Sequence, residues 1–305
     1  MKVLIIRPAA LGDTLMLMPA IAQLSASAEI TLVGRYPGLY FFRTYSHLCV
    51  DYEGSGWHRL FLEEGDDEPN PILSKVDRVV AFLRDPDKNV IDTLTTYLPP
   101  ASVHLFPAFP PKGSKVHVAF YLARCLQRAR LPIDPRKSLE EAYKRPLLGG
   151  KDPSIQQKKI IFHPGSGGKD KNYPPDFWLE LIKAFRKNLF NEKTRFNFLL
   201  GPAEEQLLSY YRKNLADGGE EMVFAPEKED LTSLLIQATL YVGHDSGITH
   251  LAAMLGTSTV ALFKNSSVYQ WRPVGPAVKV IKSKESSQRL MARIIDEGKK
   301  LMKRD

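Results

Sequence analysis

Cysteine is nearly absent: Cys49 and Cys125 are the only two in 305 residues, far apart in sequence and in apolar surroundings. That argues against a disulfide framework or a thiolate metal site, and it predicts two buried thiols in a reducing compartment. Long apolar runs are missing too. No stretch approaches the roughly 20 apolar residues that span a bilayer, and the opening KVLII before Arg7 and Pro8 is too short for a secretion signal. The chain is expected to be cytoplasmic, with any membrane contact peripheral and on the inner face. No Lys/Arg block or aromatic-basic repeat accompanies the net charge of +8, so nucleic acid is not an expected partner. The isolated His47, His58, His104 and His117 have no metal-ligand spacing and read as structural. Neither a G-x-G-x-x-G after a strand nor a Walker A loop occurs.

What is present is a soluble globular composition, 44% hydrophobic and 25% charged, in a chain long enough for two cores. The charge is uneven: residues 1 to 150 carry 18 basic and 16 acidic side chains, residues 151 to 305 carry 24 and 18. The second half is the better host for an anionic ligand.

Short apolar runs alternate with helical patterns through both halves, which predicts parallel sheets. Strands are expected at 2–6, 29–33, 48–52, 76–83 and 103–106, and again at 159–162, 196–200, 222–224, 240–243 and 257–263. Helices are expected after Gly12, with Asp13 or Thr14 as cap and Pro19 dividing or kinking the segment, then at 36–45, 115–130, 177–190, 204–214, 231–238, 248–255 and 286–303. Residues 63–70 form an acidic loop. A weakly patterned stretch, 131–157, sets a domain boundary near 148–157, giving domains 1–150 and 151–305, the last helix free to pack back on the first.

Two loops of the second half suit an anion. In HPGSGGKDKNYPPDFW, residues 163–178, glycines bring backbone N–H groups close to a ligand, Ser166 adds a hydroxyl, and Lys169 and Lys171 add charge. In TLYVGHDSGITHLAAMLGTSTVALF, residues 239–263, Asp245 or Ser246 can cap an almost wholly apolar helix that ends at Gly256. Its free N–H groups and dipole would favour negative charge at the carboxyl end of a strand.

With IIRPAALGDTLMLMPAI at the start, these two segments make the chain resemble glycosyltransferase family 9, the lipopolysaccharide heptosyltransferases and their relatives. The resemblance implies an α/β GT-B fold, two Rossmann-like domains facing a central cleft, the acceptor held by the first and the nucleotide-sugar donor by the second. It implies an inverting, metal-independent glycosyltransferase without a cofactor, moving heptose from ADP-heptose by default to a lipopolysaccharide or other envelope glycan. By the same resemblance Asp13 takes the general-base position and Lys171 the phosphate-binding lysine. Ser166, Gly167, Asp245, Ser246, Gly247 and His250 line the donor site. The chain departs from the family at Lys264-Asn265-Ser266, where Gly-Pro-Thr is common, and at Tyr173, where Trp is usual. The chemistry agrees independently: an aspartate, of ordinary pKa about 3.9, is ionised at neutral pH and can take the acceptor's proton. A lysine and a helix N-terminus can neutralise a leaving diphosphate, and no Asp-x-Asp pair lies beside these loops. Two other readings are a non-catalytic relative that binds nucleotide or anionic lipid, and a nucleotide-sugar epimerase on the same fold.

Overall fold

The computed structural model describes residues 1–54, 56, 57, 60, 72–150, 158–188, 194–215 and 220–303. The acidic run 63–70, His58 and residues 151–157 of the expected boundary segment lie outside them. Two compact units emerge, Met1–Glu141 and Ala142–Asp305.

In the first unit the apolar runs form β1 (Lys2–Arg7), β2 (Glu29–Gly34), β3 (Leu48–Asp51), β4 (Arg78–Ala81) and β5 (Val103–Leu105). They pair in parallel in the order β3-β2-β1-β4-β5. Being central, β1 must be apolar on both faces. Leu4 and Ile6 point into a cluster with Val79, Ala81, Val90 and Leu94, while Val3 and Ile5, on the alternate face, are also fully buried. Helices α1 (Leu11–Leu15), α2 (Met18–Leu24), α3 (Asn89–Tyr97) and α4 (Val118–Arg128) complete the unit, and α5 (Pro135–Lys144) carries the chain into the second.

The second unit repeats the scheme with β6 (Lys159–His163), β7 (Arg195–Leu200), β8 (Glu221–Phe224), β9 (Leu240–His244), β10 (Thr259–Phe263) and β11 (Val278–Lys282). Its parallel order, β11-β10-β9-β6-β7-β8, is the doubly wound arrangement. The connecting helices are α6 (Pro175–Asn188), α7 (Leu208–Leu215), α8 (Lys228–Ile236), α9 (Gly247–Met254), α10 (Val268–Trp271) and α11 (Gln288–Met302). The last of these packs on the sheet of the second unit: Leu290, Met291, Ile294, Ile295 and Leu301 join the cluster of Phe162, Phe185 and Val260.

Several local expectations change. The first helix begins at Leu11, so Asp13 is the third residue of its first turn and Ala10 holds the cap position without a side-chain bond. Thr14 is no cap either, its hydroxyl donating to the carbonyls of Ala9 and Ala10, 3.0 Å each. Pro19 does divide the segment, because a proline at the second position of α2 fits only a fresh helix start. The aromatic run 36–45 forms only a 3₁₀ turn at Gly38–Phe42 after Pro37. Helix α3 is not among the expected elements; Val90 and Leu94 bury its apolar face, and the Asp85 carboxylate accepts from Val90 N at 3.0 Å and Ile91 N at 2.9 Å at its start. Of the two thiols Cys125 is buried, whereas Cys49 is only half-buried. His117 caps α4 through Ala119 N at 3.2 Å, and His104 sits 3.3 Å from Arg78 Nη1. Among the described residues no helix is long and apolar enough to cross a membrane.

Candidate active site

In the second sheet the chain runs outward from β6, then returns to β9 on the other side. The crevice at the carboxyl ends of that pair is where doubly wound sheets bind ligands. Both strands end in a buried histidine, His163 and His244, and both are followed by the polar loops singled out above.

Asp245, only 3% exposed, lies at the centre. Its Oδ2 accepts from Lys171 Nζ at 3.1 Å, and its Oδ1 is 3.6 Å from His250 Nε2. Burial pushes this carboxyl up, but His250 and the Lys171 cation outweigh it and hold the pKa at about 2. The anion persists in a nearly dry place because the Lys171 cation and the His250 ring face it. Lys171 is 37% exposed, so its ammonium is anchored at one side and open to solvent at the other.

Ser246, rather than Asp245, caps α9: its Oγ accepts from Thr249 N at 3.3 Å. Gly247 is the first helical residue, and His250 is buried with Nδ1 unpartnered among the described residues. A hydrogen-bonded chain backs the cap. Ser246 Oγ lies 3.1 Å from Thr249 Oγ1 and 3.4 Å from His163 Nδ1, and Tyr241 Oη lies 2.9 Å from His163 Nδ1 and 3.0 Å from Thr249 Oγ1. Thr249 Oγ1 also donates to the His244 carbonyl.

The glycine-rich loop is more ordered than its composition suggests. Ser166 Oγ donates to Asn172 Oδ1 at 2.6 Å and lies 3.0 Å from the Gly168 carbonyl. Gly167 is exposed, and a side chain there would meet nothing. Gly165 is glycine for another reason: a Cβ would collide with the buried Glu204 carboxylate. The departing tripeptide straps this loop, Lys264 Nζ donating to Asn172 O at 3.1 Å and Asn265 Nδ2 to Asp170 O at 2.8 Å. Tyr173 donates its hydroxyl to Ser283 O at 2.6 Å.

Two buried histidines of this site, His163 and His244, stand inside the two motif segments without an assigned role there, and they end the strands on either side of the crevice. Burial, reinforced by His244, lowers the pKa of His163 to about 3. Burial lowers that of His244 to about 4, against the opposing bond to Pro164 O.

In the first unit Asp13 follows β1, likewise at the point where strand order reverses. Beneath it Arg7 is 1% exposed, with Nε donating to Asp13 O at 3.1 Å and Nη1 to Ala108 O at 2.8 Å. Its guanidinium lies 5.4 Å from the rings of Phe82 and Phe109. Burial lowers its pKa to about 10, partly offset by Asp13, so it stays cationic at neutral pH. Sequence reasoning passed over Arg7, which ends an apolar strand and looked like a boundary. Among the described residues no group of three His, Cys, Asp or Glu side chains could hold a metal ion.

The pattern of Glycosyltransferase family 9 (heptosyltransferase) matches residues 121–298, more than half of the chain. No curated protein matches. Among solved structures, the family 9 glycosyl transferase from Veillonella parvula is 15% identical with a TM-score of 0.69, the match covering 100% of this chain and 98% of that one. E. coli ADP-heptose LPS heptosyltransferase II is 18% identical with a TM-score of 0.67, covering 100% and 99%. E. coli heptosyltransferase WaaC with ADP is 15% identical with a TM-score of 0.65, covering 98% and 100%. At such identities the likeness speaks to fold, and that fold is GT-B.

Proposed function

The chain belongs to glycosyltransferase family 9, and on that premise we propose that it transfers a sugar from a nucleoside-diphosphate donor with inversion and without a metal ion. The default donor is ADP-heptose, and the acceptor is a hydroxyl of a lipopolysaccharide or other envelope glycan. One observation carries the donor half of this reading: Lys171, Ser166 and the Ser246-capped start of α9 converge at the carboxyl ends of β6 and β9. That is a cradle for a diphosphate. The WaaC structure, solved with ADP, supports the nucleotide.

In the proposed reaction the acceptor oxygen attacks the anomeric carbon as the bond to the diphosphate breaks. The acceptor's proton passes to Asp13, and the bonding electrons leave with the diphosphate. Lys171 and the first N–H groups of α9 stabilise the charge that develops there, as preorganised donors do most effectively. The buried Asp245 fixes Lys171, while Gly167 leaves the loop open for close approach. The first unit then serves the acceptor, and the second the donor.

Asp13→Asn tests the assignment. Asn fits the first helical turn and keeps the backbone carbonyl that Arg7 Nε uses, while it removes a dipole interaction worth about 0.3–1 kcal/mol and the negative charge that offsets the burial of Arg7, so melting falls but the fold survives. Loss of a general base costs roughly 10²- to 10⁴-fold in rate. Turnover of ADP-heptose onto a heptose-deficient envelope glycan, read by mass spectrometry on the folded variant, is expected to fall at least about a hundredfold, with ADP affinity nearly unchanged. A variant within a few-fold of wild type would remove Asp13 from the chemistry.

A further inference from the structure

His244 is a buried titratable group that the reaction does not use, and it touches the donor loop at both ends. Its Nδ1 is 2.8 Å from the carbonyl of Pro164, where the loop leaves β6. Its Nε2 is 2.9 Å from the amide N of Tyr173, where the loop turns into α6. Pro164 offers only an acceptor and the Tyr173 amide only a donor. The imidazole must therefore be neutral, with Nδ1–H donating and Nε2 accepting. Protonation would set Nε2–H against the Tyr173 N–H. The ring cannot rotate away, because Tyr173 and Trp178 enclose it with centroids 5.2 Å and 5.0 Å distant.

Between these two ties lie residues 165–172, among them Ser166, Gly167 and Lys171. The next residue along from His244 is Asp245, which holds Lys171. The last residue of β9 and the residue after it thus fix the loop's entry, its exit and its cation.

We propose that His244 is a positioning residue of the donor site: a neutral imidazole that clasps the two ends of the 163–174 loop and holds Lys171 and Ser166 ready for a nucleoside diphosphate. The inference rests on the donor-site reading above. A glycine-rich loop left free would have to be ordered at the moment of binding, and fixing its ends beforehand raises affinity by removing that ordering cost.

The test uses the full-length protein and titrates it with ADP by calorimetry. His244→Phe keeps a ring but neither tie. His244→Asn can retain the donor to Pro164, and His244→Gln the acceptor for Tyr173. The Phe variant is expected to bind ADP about tenfold more weakly, the loss of roughly one buried hydrogen bond's worth of preorganisation. Asn and Gln should each recover part of that loss. Hydrogen exchange should show the Tyr173 amide protected in wild type and Gln but open in Asn. A merely structural role would not produce the coupling expected with Lys171→Ala: in that background the His244 substitutions should change ADP affinity less than about twofold, since the clasp acts through the loop that presents the lysine. If the Phe variant does not fold, the Asn and Gln variants carry the same cycle. The proposal is overturned if the ADP affinity of all folded variants stays at the wild-type value, or if the His244 and Lys171 effects simply add. Lys171→Ala that leaves ADP affinity unchanged overturns the donor-site reading instead.

Discussion

Acidification should loosen the second unit well before its carboxylates are protonated. His163 and His244 are both buried and neutral, with pKa values of about 3 and about 4 against an ordinary 6.5. A histidine whose folded pKa is depressed contributes its full stability above the unfolded value and loses it as pH falls toward the folded one, because the unfolded chain binds the proton first. The window is therefore about pH 6.5 down to 3. At pH 5 each unfolded imidazole is almost fully protonated and each folded one almost fully neutral, a difference of about 2 kcal/mol per histidine. Together they lower stability by about 4 kcal/mol between pH 7.5 and pH 5, a large fraction of a domain's total. Two other groups bear on the sign. Asp245, held down to about 2, loses its contribution only below its ordinary 3.8, which is under the pH 7.5 to 5 interval. Glu204, whose carboxyl burial raises, works the other way and reduces the effect. Urea unfolding at the two pH values, followed by tryptophan fluorescence, is the assay. His244→Phe should remove about half of the pH dependence, since Phe cannot titrate. A stability that is flat from pH 7.5 to 5, or a dependence unaltered in both His163→Gln and His244→Phe, would refute the reasoning.

Lys171→Ala should weaken ADP binding about tenfold or more in calorimetry, the loss of one charge-assisted hydrogen bond. Melting should also fall, because Lys171 is 37% exposed but its partner Asp245 is only 3% exposed, and the substitution leaves that buried carboxylate short of its cation. Turnover should survive EDTA, because Lys171 and the α9 N-terminus are placed to meet the leaving charge. Activity abolished by the chelator and restored by Mg²⁺ or Mn²⁺ would require a metal in the mechanism.

The sequence by itself determined the alternating strands and helices, because a parallel strand buried on both faces must be a short continuous apolar run, and KVLII, KIIF and TVALF are that. It also marked the two polar loops and the aspartate after the first strand, since glycines, lysines and a capping serine interrupt the apolar pattern there. Local chemistry was legible where its partners are near in sequence, as in the Ser246 bond to Thr249 N. It was not legible at Arg7, whose partner Ala108 is remote in sequence. The remaining contacts of the site follow from the fold. Strand order brings β6 beside β9, and so places His244 between Pro164 and Tyr173, and Asp245 against Lys171. Those partners are 71 to 80 residues apart along the chain. No periodicity or spacing encodes such a meeting, because it depends on which edge of the sheet the returning chain joins, and that is settled by the packing of the whole unit.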